Sequence, residues 1–217
     1  MGSTVTMLGR RNFLTAWMAS ILLAVLLSAG APSQALAGEF DDGARKFVEK
    51  LTQDAISTLA GKDINKAERA NRFRALMNKN FAVKGIAKFV LGRHWRKASD
   101  GEKEEYLQLF EDLLVATYAD RFAKYSGEKL LIEQAQMRGK KDVIVNSTMI
   151  SVDSSKPLKV AWRVRFKKGN YKIIDIMVEG ISMIMTQKSE FASFIKQNGG
   201  SLEALLGELK KRIQANS

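Results

Sequence analysis

The sequence contains no cysteine and one histidine in 217 residues. Without cysteine the fold gains no disulfide, and a zinc site of His and Cys ligands cannot be assembled. Stability must come from a hydrophobic core, which a chain of this length can bury. A serine nucleophile with a histidine base would have to use His94. That residue stands in the basic run Leu91-Gly92-Arg93-His94-Trp95-Arg96-Lys97, which reads as a turn between helices, and its role reads as structural or surface. The chain shows no G-x-G-x-x-G or phosphate-loop motif, no repeat, no low-complexity tract and no interior linker. These absences leave almost no support for an enzyme. No catalytic residue, metal site or cofactor is expected.

Acidic residues are missing from positions 1–37, where Arg10 and Arg11 are the basic ones. Arg10-Arg11-Asn12-Phe13-Leu14 resembles a twin-arginine export signature, although ordinary secretory signals also carry paired arginines. An apolar run from about Ala16 to Leu27 follows, short for a bilayer span. Small residues and the A-x-A site Ala35-Leu36-Ala37 come next. The expected organisation is a cleaved export signal at 1–37, cut between Ala37 and Gly38, and a single domain at 38–217. The alternative is an uncleaved anchor. Cleavage leaves 33 of the 35 basic residues and all 23 acidic ones, a net charge of +10. A basic surface suits anionic lipid, nucleic acid or acidic protein, and export to the periplasm argues against nucleic acid.

Along the domain, Phe47, Val48, Leu51, Ala55, Ile56 and Leu59 recur at helical spacing within 40–59, ended by Gly61. A second helix is predicted over 68–77. A third, through Phe81, Ile86, Phe89 and Val90, is predicted with Asn80 as its cap. Ser99-Asp100-Gly101-Glu102 is a capping box. It opens a long helix with the stripe Tyr106, Leu109, Phe110, Leu113, Leu114, Thr117, Tyr118, Phe122 and Tyr125, stopped at Gly127. Glu102, Glu104 and Glu105 suit a helix start electrostatically. After Gly127 the period becomes two. Strands are predicted over 129–137 and 142–152. Between 158 and 167 Leu158, Val160, Trp162, Val164 and Phe166 alternate with Lys159, Arg163, Arg165 and Lys167. Lys168-Gly169-Asn170 is hairpin chemistry. The returning strand, 171–179, is apolar on both faces and is expected to be central. Asp175 and Glu179 share one of its faces, where pairing with arginines of the adjacent strand is expected. Helices at 182–197 and from Ser201 close the chain, broken by Asn198-Gly199-Gly200. The expected class is α+β: a twisted antiparallel meander of about four strands covered by N- and C-terminal helices.

An exported, basic domain with nine methionines and no catalytic apparatus suggests a binder. The apolar face of the third strand must be covered by helices. If they meet it tightly the interior is an ordinary core; if they stand off, the same face lines a pocket for apolar chains. Methionine adapts to irregular guests, but periodicity does not separate these readings. The stretch Ile181-Ser182-Met183-Ile184-Met185 at the strand exit raises the same question.

Three stretches, Phe89-Val90-Leu91-Gly92-Arg93-His94-Trp95-Arg96-Lys97-Ala98-Ser99, the helix through Tyr106, Phe110 and Tyr118 to Tyr125-Ser126-Gly127-Glu128, and Asp175-Ile176-Met177-Val178-Glu179-Gly180-Ile181-Ser182-Met183, closely resemble the MlaC-type family, also called the toluene-tolerance family. The resemblance covers about 40–209. His94 stands where the family leads one to expect an aromatic residue. A related branch is tied to hopanoid gene clusters.

The resemblance implies a soluble periplasmic phospholipid carrier with acyl chains held in an apolar cavity between sheet and helices. A hopanoid carrier and a ligand-free adaptor are the alternatives. Implied partners are an outer-membrane lipoprotein–porin complex and an inner-membrane MCE-domain ABC transporter complex. A monomer making transient membrane-surface contact is expected. The expected cavity wall takes Phe89, Leu91, Trp95, Leu109, Phe110, Leu113, Tyr118 and Phe122 from helices. The strands supply Val160, Trp162, Val164, Ile174, Ile176 and Val178, and the strand exit Ile181, Met183 and Ile184.

Overall fold

The computed structural model describes residues 33–152 and 156–216, without the side chains of 33–37 and of residue 39. Most of the expected export signal therefore lies outside the described residues. The chain divides into two compact units, 1–39 and 40–217. The first contributes, among the described residues, the opening turns of helix α1, Ser33–Leu59. The second carries the fold.

Within that second unit α1 buries Ala44, Val48 and Leu51. Its last carbonyl and the loop after it are held from the next helix, α2, Lys66–Asn80: the buried Arg69 donates from Nε to Leu59 O (3.0 Å) and from Nη2 to Gly61 O (2.9 Å). Such charge-assisted bonds satisfy carbonyls that a helix end leaves orphaned. Helix α3, Val83–Leu91, has no side-chain cap. Asn80, expected in that role, ends α2 instead and donates from Nδ2 to Leu76 O at 2.8 Å. The reason is the intervening pair. Phe81 bridges Ile173 in parallel and the Ala82 N–H bonds the Ile173 carbonyl at 2.9 Å, so the chain stays extended there.

After a 3-10 stretch at Gly92–Arg96 comes α4, Asp100–Tyr118, opened by the predicted capping box with both of its bonds made. The helix does not run on to Tyr125 as expected. It tightens to a 3-10 segment, Ala119–Lys124, which brings the Phe122 ring to 6.1 Å from Phe73.

Strands β1 (Lys129–Arg138), β2 (Asp142–Ile150), β3 (Leu158–Lys167), β4 (Asn170–Val178) and the two-residue β5 (Ile181–Ser182) form one antiparallel sheet in sequence order. The meander is as expected, and β4 is an interior strand paired on both sides. Beyond it lie β5 and the Phe81 bridge. Its two apolar faces follow from its neighbours, because α2, α3 and α5 (Met183–Gln197) all approach the sheet along β4. Helix α6, Leu202–Asn216, packs on α4.

Two hydrophobic cores result. One is helical, gathering Ala87, Leu91, Tyr106, Phe110, Phe191, Leu205 and Leu209. Tyr106 is fully buried and donates to Ala87 O at 2.9 Å, and burial pushes its phenol well above the ordinary range. The other core joins α1 to the inner face of the sheet through Ala44, Val48, Leu51, Val143, Val145, Val164 and Ile173. Gly43 belongs to this contact, since a Cβ there would lie 2.2 Å from the Tyr171 hydroxyl oxygen. Phe81 packs against both clusters.

Candidate functional site

The inner face of the sheet is apolar except at Ser147, which stands opposite Val160. Cross-strand pairing aligns Leu130, Met149 and Leu158, then Val160 with Val178, then Trp162 with Ile176, then Val164 with Ile173. A one-residue bulge in β4 between the partners of Arg163 and Val164 keeps that face apolar on both sides of it. At the hairpin end α1 closes over it and Val143, Val145, Val164 and Ile173 are sealed. At the opposite end Leu130, Met149, Leu158 and Val178 are half-buried, Val160 is buried, and neither core absorbs any of the five. They form an apolar strip across four strands.

The polar groups beside this strip are satisfied within it. Trp162 Nε1 donates to Ser147 Oγ at 3.0 Å, and the Ser147 hydroxyl donates to the Val160 carbonyl at 2.7 Å. The strip therefore presents aliphatic and thioether surface with no unpaired donor to demand a polar guest.

The exit from β4 is fixed beside it. Glu179 (φ 49°) and Gly180 (φ 79°) make the two-residue turn into β5. Glu179 Oε1 accepts the Lys159 N–H at 2.8 Å. Asp175, buried, accepts the Ser182 hydroxyl at 2.6 Å and the Ile184 N–H at 3.3 Å. Ser182 Oγ in turn accepts the Met185 N–H at 3.2 Å, capping α5. The expected pairing of Asp175 and Glu179 with arginines of β3 is thus incorrect. Arg163 and Arg165 turn to Asp142 on β2 instead, where all four bonds lie between 2.6 and 2.9 Å. Asp175 serves the Ser182 hydroxyl and a backbone N–H, and Glu179 a backbone N–H. The apolar residues after the turn divide. Ile184 packs on the helical core, while Ile181 (60% exposed), Met183 (37%) and Met185 (53%) face outward.

The seventeen expected wall residues are not brought together. Leu91, Leu109, Phe110 and Leu113 lie inside the helical core, with Trp95 and Ile184 packed on it. Their rings and methyls fill space between helices: Phe110 and Phe191 meet edge to face at 6.4 Å. Phe89 is 43% exposed beneath Lys188, whose Nζ is 4.2 Å from the ring, and Tyr118 lies at the surface under Arg121. Phe122 sits against Phe73. Val160, Trp162, Val164, Ile176 and Val178 do share the inner face, and Ile174 is the bulge residue. Leu130, Met149 and Leu158, which are not in the expected set, share that face too. Their signal was the alternation of β1, β2 and β3, which shows a face but not its register with the neighbouring strands.

His94, half-buried in the 3-10 stretch, meets cations. Burial, Arg93 and Lys97 hold its pKa below the ordinary value, and Arg93 Nε donates to its Nε2 at 3.5 Å. Among the described residues no group of three His, Cys, Asp or Glu could hold a metal ion, and no helix is long and apolar enough to cross a membrane.

A family model described as MlaC protein matches residues 49–211. The intermembrane phospholipid transport system binding protein MlaC of Haemophilus influenzae is 25% identical over 113 residues, 51% of this chain and 53% of that protein. The chain thus spans about half the length of that curated relative. A phospholipid-binding protein from Ralstonia solanacearum, solved in complex with a phospholipid, matches with a TM-score of 0.71 and 22% identity, covering 80% of this chain and 98% of that one. At that identity the likeness shows the fold.

Proposed function

The chain belongs to the MlaC family, and from that premise we propose that it is a periplasmic phospholipid carrier which holds acyl chains against the inner face of its sheet. The observation that carries this reading is the strip Leu130, Met149, Leu158, Val160 and Val178, an apolar face that neither core absorbs. A solid α+β domain would sink such a face into a core.

The energetics suit a carrier. Two acyl chains hold about 30 methylenes, and at roughly 0.8 kcal/mol each their exposure costs on the order of 20 kcal/mol or more. Free passage through water is then negligible. The carrier must bury the chains about as well as a bilayer does and no better, or release would stall. Tails dominate and the head group is weakly read, consistent with the internally satisfied Ser147–Trp162 pair.

The shuttle runs between an outer-membrane lipoprotein–porin complex and an inner-membrane MCE-domain ABC transporter, reached after removal of residues 1–37. The chemistry required is binding and release, for which no nucleophile or base is needed.

Organic extraction and native mass spectrometry of the protein purified from a periplasmic fraction test the reading. Near one phospholipid per chain is expected. Leu158→Glu, which sets a carboxylate in the strip, should leave the far-ultraviolet circular dichroism spectrum unchanged and remove the lipid. Lipid-free wild-type protein, or a Leu158→Glu variant that retains its lipid, would refute the placement.

A further inference from the structure

The opposite end of the sheet carries a second concave site. Phe40, Met137, Val143 and Phe166 floor a cavity of about 400 Å³ rimmed by Lys140, Lys141, Lys167 and Lys168. A shallower depression beside it adds Arg138 and Arg165 to the same rim. The β1–β2 and β3–β4 hairpin turns lie here. The β3–β4 turn is Lys168-Gly169, with φ of 52° and 77°, and the β1–β2 loop passes through Gly139 at φ 73°. These tight turns hold the cations at one end of the sheet.

The rim is electrostatically unbalanced. Asp142 is its acidic residue, and both of its oxygens are taken by Arg163 and Arg165. Among the described residues, Arg138, Lys140, Lys141, Lys167 and Lys168 make no salt bridge. Asp41, next to Phe40 at the start of the folded unit, keeps its Oδ1 buried without a hydrogen-bond partner, and burial raises its carboxyl above the ordinary range. The fully buried Val145, Val164 and Ile173 separate this cavity from the apolar strip at the other end.

We propose that this hairpin end is a docking surface for an anionic bilayer, the lysine rim engaging lipid phosphates and the Phe40–Met137–Phe166 floor receiving the upper, apolar part of one lipid. An apolar floor inside a cationic collar matches an amphiphile with an anionic head. Lysines on flexible stems without fixed partners suit a fluid surface, over which charges sum without any set geometry. An acidic protein partner would instead be read by positioned, hydrogen-bonded groups. The proposal is independent of what the carrier's strip holds.

Co-sedimentation with vesicles tests it. The processed protein should pellet with phosphatidylethanolamine:phosphatidylglycerol (3:1) vesicles at low salt, and be released by raised salt. It should not pellet with phosphatidylcholine vesicles. Each cation near an anionic surface is worth roughly fivefold in partitioning. The variant Lys140→Glu/Lys141→Glu/Lys167→Glu/Lys168→Glu should therefore lose at least tenfold. The corresponding four-glutamine variant should fall between and serves if the glutamate variant fails to fold. Arg93→Glu/Arg96→Glu/Lys97→Glu, which reverses the other basic turn, should stay within twofold of wild type. Wild-type protein that ignores phosphatidylglycerol vesicles, rim variants that bind them unchanged, equal loss in the control variant, or binding to poly-glutamate but not to vesicles would each overturn the proposal. Copurifying phospholipid, measured on the same variants, is expected to be unchanged. Its absence from wild type would count against the carrier reading alone.

Discussion

Asp142 and Asp175 are both buried carboxylates, held by opposite kinds of partner. Asp142 accepts from two guanidinium groups, and Arg165 and then Arg163 hold its carboxyl below the ordinary 3.8 despite burial. A carboxyl with a depressed folded pKa contributes stability that is present above 3.8 and is lost as pH falls through the folded value. Asp142→Asn should therefore cost about 1–2 kcal/mol at pH 7, modest because both arginines reach solvent. Urea denaturation should show the difference from wild type shrinking as the pH drops below 3.8. A gap that persists at the lowest pH would mean that the ion pairs are not its source. Asp175 accepts from a hydroxyl and a helix N–H instead. Asp175→Ala orphans both donors at the start of α5 and should cost about 2–3 kcal/mol. In a domain of this size that lowers Tm by roughly 5–10 °C. Asn, which keeps one acceptor oxygen, should recover part of the loss. An alanine variant as stable as wild type would show that the contact is idle.

At the scale of elements, what sequence carries locally was legible and what neighbours decide was not. Ser99-Asp100-Gly101-Glu102 states its own hydrogen bonds: Ser99 Oγ accepts from Glu102 N at 3.3 Å and Glu102 Oε2 accepts from Ser99 N at 2.8 Å. Ser99→Ala should cost about 1 kcal/mol, read as a lower denaturation midpoint with an unchanged slope. Glu102→Gln, which can still close the box, should cost less. Equal losses from the two would indicate charge at the helix start rather than the reciprocal bonds as the source. Asn80 looked like an equally good cap, but its neighbour Phe81 pairs with Ile173, 92 positions later in the chain, and no local pattern announces that bridge. The stripe from Tyr106 to Tyr125 likewise hid the change to 3-10 winding at Ala119, because Phe122 finds its contact on Phe73 of another helix. The stretch from Asp175 to Met183 was legible as a signature. Its physical content is a turn, a strand-edge acceptor and a helix cap, and these needed the fold to appear.

At the scale of the whole molecule, the sequence carried the α+β class and the antiparallel meander but not the division of its interior. Helical periodicity marks Leu91, Phe110 and Leu113 as buried without saying which layer buries them, so residues of the helical core were grouped with those of the sheet. The division has an energetic consequence. Leu205 lies in the helical core and Val145 in the sheet core, both essentially fully buried. Leu205→Ala should cost about 2–5 kcal/mol and Val145→Ala roughly 2 kcal/mol. Residues that share no packing partners add within about 0.5 kcal/mol, whereas residues in one packed network couple by more. The double variant should therefore be additive in urea denaturation. Phe81, packed on both clusters, should show coupling of 0.5 kcal/mol or more with each when replaced by alanine. A coupling above 1 kcal/mol between Leu205→Ala and Val145→Ala would mean that the two layers share one continuous core.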